Sequence, residues 1–254
     1  MEGDVEEETF KPGYEKLVQS GTLLERYQYQ KVPYPVKHVG KRTKRYKKFK
    51  SENHIKRAIF HFQRRVLSTL VMGSPHFVTL TMLDVVSIQE AYRLFTEFGV
   101  RLRKEYGEKI IWIIVPEFQE RGAVHFHCLI WHLPHDIHLT ERDNRRIQNL
   151  WAYGFVDIIS SDGSPKLSGY LAKYMSKAMH DERLFGQKAY SCSRNALSPV
   201  FLTTKTEVAY TKDEFGLDEA DSVVKPSRER EYETKWLGHA RYRAYTVPIE
   251  KPPA

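Results

Sequence analysis

Cysteine is scarce: the 254 residues contain only Cys128 and Cys192. Two thiols build neither a disulfide framework nor a four-thiolate zinc site, so a reducing, cytoplasmic setting is the expectation. No apolar run approaches the roughly 20 residues that span a bilayer, so no membrane partner is expected. The opening Met1-Glu2-Gly3-Asp4-Val5-Glu6-Glu7-Glu8 is acidic and does not read as a secretory signal. A Gly-x-x-x-x-Gly-Lys-Ser/Thr phosphate loop is missing, so no fused nucleotide-driven motor is indicated. Internal repeats are missing as well. The chain does have enough hydrophobic residues, 41%, and aromatic residues, 13%, to bury a core.

Acid is missing from one stretch. Residues 37–50 carry Lys37, Lys41, Arg42, Lys44, Arg45, Lys47, Lys48 and Lys50 with no Asp or Glu, and Tyr46 and Phe49 are interleaved. The net charge of the whole chain is +8. Both features point to a polyanion, most simply nucleic acid. Cations neutralise phosphates and rings stack on unpaired bases, which makes Lys41, Arg42, Lys44, Arg45, Lys47 and Lys48 candidate DNA contacts. A solvated charge run or a nuclear-localisation segment fits the same residues.

Periodicity divides the rest. Residues 1 to about 36 read as an extended arm, and 51–70 as a helix with apolar Ile55, Ile59, Phe60, Phe62 and Val66. Phe77–Met82 is β-branched and apolar, hence a strand. Ser87 caps a helix to about Tyr106. Lys109–Pro116 is a second strand, Gln119-Glu120-Arg121-Gly122 a hairpin turn, and Val124–Trp131 a third strand. Thr140 caps a helix to about Trp151, Gly154–Ile159 is a fourth strand, and a helix follows from about Lys166 to Met179. Val200–Thr204 suggests one more strand. The order from 77 to 160 is β-α-β-β-α-β, which predicts an α+β fold with a ferredoxin/RRM-like antiparallel sheet and an additional helix. The expected divisions are 1–74 (arm, basic segment and helix), 75–205 (the main domain) and 206–254 (a charged tail or small appended element).

His125 and His127 lie two apart in a strand and therefore share a face, while Phe126, Cys128 and Ile130 face the core. Cys128 is thus expected to be a packed thiol. Alone, such a pair is more often two polar side chains on the wet face of a strand. A turn centred near Arg121-Gly122 places Glu117 across from His125, or diagonal to it after a small slip. Two imidazoles and a carboxylate leave positions open on a divalent ion, as catalytic sites do, and Mn²⁺ or Mg²⁺ suits a phosphate substrate. His132, His135 and His138 lie in an irregular loop and read as surface histidines.

In the last helix, Tyr170 and Tyr174 share a face, with Lys173 and Lys177 in a parallel row. A phenol with a pKa of about 10 is a poor nucleophile unless a nearby cation favours its phenolate. Two packed tyrosines and two solvated lysines on an amphipathic helix would look the same.

Together these motifs resemble the HUH endonuclease superfamily. The set is Phe77-Val78-Thr79-Leu80-Thr81, Glu117 with His125-Phe126-His127, and Tyr170-x-x-Lys173-Tyr174-x-x-Lys177. It is most similar to the two-tyrosine rolling-circle replication initiators of small circular-DNA phages and plasmids, because the tyrosines follow the histidines. The resemblance covers roughly 75–205. It implies a site-specific nick in single-stranded DNA at an origin, with a stem-loop and host replication proteins as partners, in the host cytoplasm. It further implies a 5′-phosphotyrosine and rejoining by a second tyrosine. By residue, it implies Glu117, His125 and His127 on the metal and Tyr170 and Tyr174 as nucleophiles. Lys173 and Lys177 would assist phosphate charge or a metal water. Alternatives are a transposase of the same superfamily and a non-catalytic single-strand-binding module of RRM-like fold.

Overall fold

The computed structural model describes residues 10–33, 52–134, 141–219 and 224–249. The candidate DNA contacts Lys41, Arg42, Lys44, Arg45, Lys47 and Lys48, and also His135 and His138, lie outside them. The chain forms two compact units, one within 1–43 and 199–250, the other within 44–198. Each contains a five-stranded antiparallel sheet, so the fold is α+β.

The middle unit runs α1 (Glu52–Thr69), β3 (His76–Met82), α2 (Ile88–Tyr106), β4 (Ile111–Phe118), β5 (Val124–Trp131), α3 (Glu141–Trp151), β6 (Gly154–Ser160), α4 (Lys166–His180) and β7 (Ser191–Cys192), while β1 (Tyr14–Ser20) and β2 (Leu23–Tyr29) belong to the other unit. The expected β-α-β-β-α-β order is present, and the strands line up as β6-β3-β5-β4-β7. Ser87 caps α2, its hydroxyl accepting from the Glu90 amide at 3.2 Å. Central strands β3, β4 and β5 are apolar on both faces because helices cover both. On one face Phe95, Phe98 and Leu102 of α2 and Ile147 and Trp151 of α3 meet Leu80, Ile114, Phe126 and Cys128. On the other, Phe62 and Val66 of α1 and Leu171, Met175 and Met179 of α4 meet Ile113, Val115, Leu129 and Trp131. Each such side chain fully buried stabilises the unit by about 1.5–3 kcal/mol. Cys128 is fully buried, and burial raises its pKa well above the thiol norm, so it is a packed thiol.

Gly154 opens β6 where no other residue fits. A Cβ there would stand 2.0 Å from the Thr81 carbonyl oxygen, at a φ of +154°. Pro116 is tolerated inside β4 because β7 pairs only with Ile113 and Ile114, leaving the strand's other edge without a strand partner there among the described residues.

The other unit departs from expectation. Described residues of the supposed arm form the hairpin β1 and β2, which pair along their whole lengths. The supposed tail contributes α5 (Lys205–Glu214), β9 (Arg228–Thr234) and β10 (Gly238–Thr246), while β8 (Val200–Leu202) also leaves the main domain for this sheet, ordered β8-β1-β2-β10-β9. The unit boundary at 198 thus falls before the expected 205, and α1 joins the middle unit rather than the arm. Leu17, Leu24, Tyr245 and Val208 form the small apolar core. Beside it Arg26, nearly buried, is ion-paired to Glu15 and, at 2.7 Å, to Asp218, which Lys212 also reaches at 2.5 Å. A buried guanidinium is tolerable only with such partners.

Candidate active site

Three elements converge on one sheet face. The turn at Gln119–Gly122 fixes the hairpin: Gly122 takes a φ of +89° and its amide donates to the Gln119 carbonyl at 2.8 Å. Arg121 reinforces it by donating to the carbonyls of Leu83, at 2.5 Å, and Met82 at the end of β3. The resulting register pairs Glu117 directly with His125, and Thr81 with His125 from the other side.

Side chains depart slightly from the backbone register. The carboxylate reaches the diagonal imidazole, His127 Nε2 lying 2.7 Å from Glu117 Oε2. His125 Nδ1 instead lies 3.3 Å from both Thr81 Oγ1 and Gln119 Nε2. The two imidazole centroids are 4.8 Å apart. Lys177 Nζ donates to the second carboxylate oxygen, Glu117 Oε1.

Helix α4 packs on this face through Leu171, Ala172, Met175 and Met179, which places the neighbouring stripe Tyr170, Tyr174 and Lys177 over the histidines. The Tyr174 ring stacks on His127 with centroids 3.6 Å apart and an interplanar angle of 25°. Its hydroxyl is 2.7 Å from that of Tyr170. Tyr170, 43% exposed, meets the Phe77 ring edge-on at 5.3 Å.

Electrostatics follow from burial. Burial, with a smaller repulsion from His127, lowers the His125 pKa to about 4 against the pull of Glu117. Burial also lowers that of His127, although Glu117 opposes it. Burial tends to raise the Glu117 pKa, but hydrogen bonds from Lys177 and His127 outweigh it and hold the group ionised. At neutral pH the cluster is therefore two neutral imidazoles and a carboxylate, the protonation states that metal ligands require. Tyr174 is pushed up to about 12, first by burial, then by its hydrogen bond to Tyr170 and by nearby negative charge.

That last shift runs against the expectation that a lysine favours a phenolate. Lys177 is engaged with Glu117 and does not offset the rise at Tyr174. Lys173 is exposed, in the row beside the tyrosines. Among the described residues, no three His, Cys, Asp or Glu converge on one ion-sized position. The reason is visible: Glu117 is satisfied by His127 and Lys177 directly. The donor chemistry nonetheless fits a divalent ion, because the three groups share a face and His127 Nδ1 is buried without a hydrogen-bond partner among the described residues. His132 lies apart, exposed at a φ of +65°.

Thr81, Gln119 and Phe77 are contacts that sequence reasoning did not assign. Thr81 follows from strand order rather than local spacing. Gln119 sits in the turn, where a polar residue carries no particular signal.

Residues 75–179 match a family described as replication-associated protein of the ORF2 type. The matched stretch holds every side chain of the cluster and none of the other unit's sheet. Neither curated proteins nor solved structures gave a significant match. The match supports a replication-associated role for this chain.

Proposed function

We propose that the chain initiates rolling-circle replication by nicking single-stranded DNA at an origin through a covalent 5′-phosphotyrosine. One observation carries the reading: Glu117, His127, Tyr174, Tyr170 and Lys177, from β4, β5 and α4, form one unbroken chain of contacts. Two packed tyrosines and a wet-face histidine pair would not require that continuity.

Tyr170 is the first nucleophile in this reading. It is the more exposed of the two, and Tyr174, which keeps its proton, donates a hydrogen bond to its oxygen. Tyr170 Oη attacks the phosphorus, the P–O3′ bond breaks, and the leaving oxygen takes a proton to become a 3′ hydroxyl. The phosphodiester energy is kept in the tyrosyl ester, so a second strand can be joined without an external energy source. Tyr174 is placed to repeat the attack on a later strand. Glu117, His125 and His127 would hold a divalent ion, Mn²⁺ or Mg²⁺, which when bound supplies Lewis-acid stabilisation of charge at the phosphate. Thr81 and Gln119 orient His125 through Nδ1, as neighbours of metal-ligating imidazoles do. Lys173, in the row beside the nucleophiles, offers charge to the phosphate.

The test is a labelled single strand carrying the matched origin, incubated with Mn²⁺ and then denatured. The proposal expects a protein–DNA adduct from the wild type and none from Tyr170→Phe/Tyr174→Phe. An unmodified wild type would put a non-catalytic single-strand-binding module ahead.

A further inference from the structure

Strand β9 reads Arg228-Glu229-Arg230-Glu231-Tyr232-Glu233-Thr234, an alternation of charge sign. The two-residue period of a strand sorts this alternation by face. Glu229, Glu231 and Glu233 stand opposite Arg243, Arg241 and His239 of β10. Arg243 Nε donates to Glu229 at 2.6 Å, Arg241 Nε to Glu231 at 2.5 Å, and His239 Nδ1 lies 3.0 Å from Glu233. The acids of the ribbon are thus all neutralised on one side.

Arg228, Arg230 and Tyr232 point to the other side, opposite Ala244, Tyr242 and Ala240. Both arginines are exposed, and neither has an acidic partner among the described residues. The acid among the described strand residues of this face is Glu25. It is buried and accepts from the hydroxyls of Tyr27, at 2.9 Å, and Tyr242, at 3.0 Å. Tyr232 is 40% exposed, and Trp236, at the hairpin tip, is 78% exposed. The Lys235 ammonium lies 5.1 Å from the Trp236 ring.

We propose that this face of the β9–β10 ribbon is a second DNA-binding surface that takes single-stranded DNA. Arg228 and Arg230 meet phosphates, and Tyr232 and Trp236 stack on bases. Two unopposed arginines call for a polyanion. Two exposed rings call for unpaired bases, because a duplex hides its base faces. The choice of DNA rests on the replication reading, whereas the surface itself stands without it.

Anisotropy of a labelled oligo-dT with the full chain, in EDTA, tests binding apart from any cleavage chemistry. Each phosphate contact to a single strand contributes a slope of about 0.7 in log affinity against log salt. Arg228→Gln/Arg230→Gln should therefore flatten the slope by about 1.4 and weaken binding roughly 10- to 30-fold at about 0.1 M salt. Arg228→Lys/Arg230→Lys should keep the slope, which separates charge from folding. Trp236→Ala, at an exposed tip, should cost about fivefold or more with the slope unchanged. Wild-type affinity and slope in the Gln pair, or wild-type affinity in Trp236→Ala, would overturn the proposal. So would tighter binding of duplex, of oligo-U or of anionic vesicles, each lost in the same variants. A wild type that forms no covalent adduct yet shows these losses would sink only the cleavage reading.

Discussion

Replacing Lys177 with methionine should tighten Mn²⁺ binding while slowing strand cleavage. The ammonium of Lys177 donates to Glu117 Oε1, the oxygen that an ion would need. Hydrogen bonding to Glu117 raises the lysine pKa, so the charge is present at neutral pH. Two unit charges about 4 Å apart interact by about 4 kcal/mol at an effective dielectric of 20 and by about 1 kcal/mol in water. The Lys177 side chain is 70% exposed, whereas Glu117 is only 17% exposed. Exposed pairs fall near the lower limit, so removal of the ammonium should favour an incoming cation by about 1 kcal/mol, roughly fivefold in affinity. Methionine keeps much of the apolar stem, and Glu117 retains its contact with His127. Titration calorimetry with Mn²⁺ reads the effect directly, with Glu117→Gln as the variant expected to lose binding. A folded Lys177→Met chain that binds Mn²⁺ more weakly than wild type would refute the reasoning and make Lys177 a support of the site rather than its competitor.

Other outcomes follow from the same geometry. Tyr170→Phe should abolish the first adduct, whereas Tyr174→Phe should still form it but fail to pass the strand on; the reverse pattern in a gel assay would reassign the order. Gly154→Ala forces a Cβ onto the Thr81 carbonyl oxygen and should cost about 2 kcal/mol or more, lowering the melting midpoint by roughly 5 °C; an unchanged midpoint would contradict the strand geometry. Burial tends to raise the Asp218 pKa, but hydrogen bonds from Lys212 and Arg26 outweigh it and hold it below 3.8. A depressed native pKa adds stability above the unfolded value, and that stability is lost as pH falls through the native one. The melting gap between wild type and Asp218→Asn should therefore be wider at about pH 6 than at about pH 3, and a constant gap would exclude Asp218 as the titrating group.

The middle unit was legible because its signals are local. Its strands are apolar and β-branched, its helices show apolar stripes, and one short turn decides the pairing of Glu117 with His125. The other unit was not legible, for two physical reasons. Its strands bury polar residues in place of apolar ones: Glu25, Arg26 and Gln28 are all buried in β2, so no hydrophobic alternation marks it. Its pairings are also long-range, β2 lying beside β10 from the far end of the chain. The run Arg228–Glu231 looked patternless because its period is one of charge, which matters only once the arginines of β10 stand across from it. Within the site, spacing brought out the tyrosines and histidines, but the partner of Lys177 depended on how α4 lies on the sheet.

The central claim is that Tyr170 or Tyr174 becomes bonded to DNA. The most direct measurement is mass spectrometry of the denatured wild-type chain after reaction with Mn²⁺ and single-stranded DNA from its own replicon, followed by nuclease trimming and proteolysis. A nucleotide phosphate on the peptide that carries Tyr170 and Tyr174 is the predicted result. A nucleotide on any other residue, or none at all while the strand is cut, would contradict it.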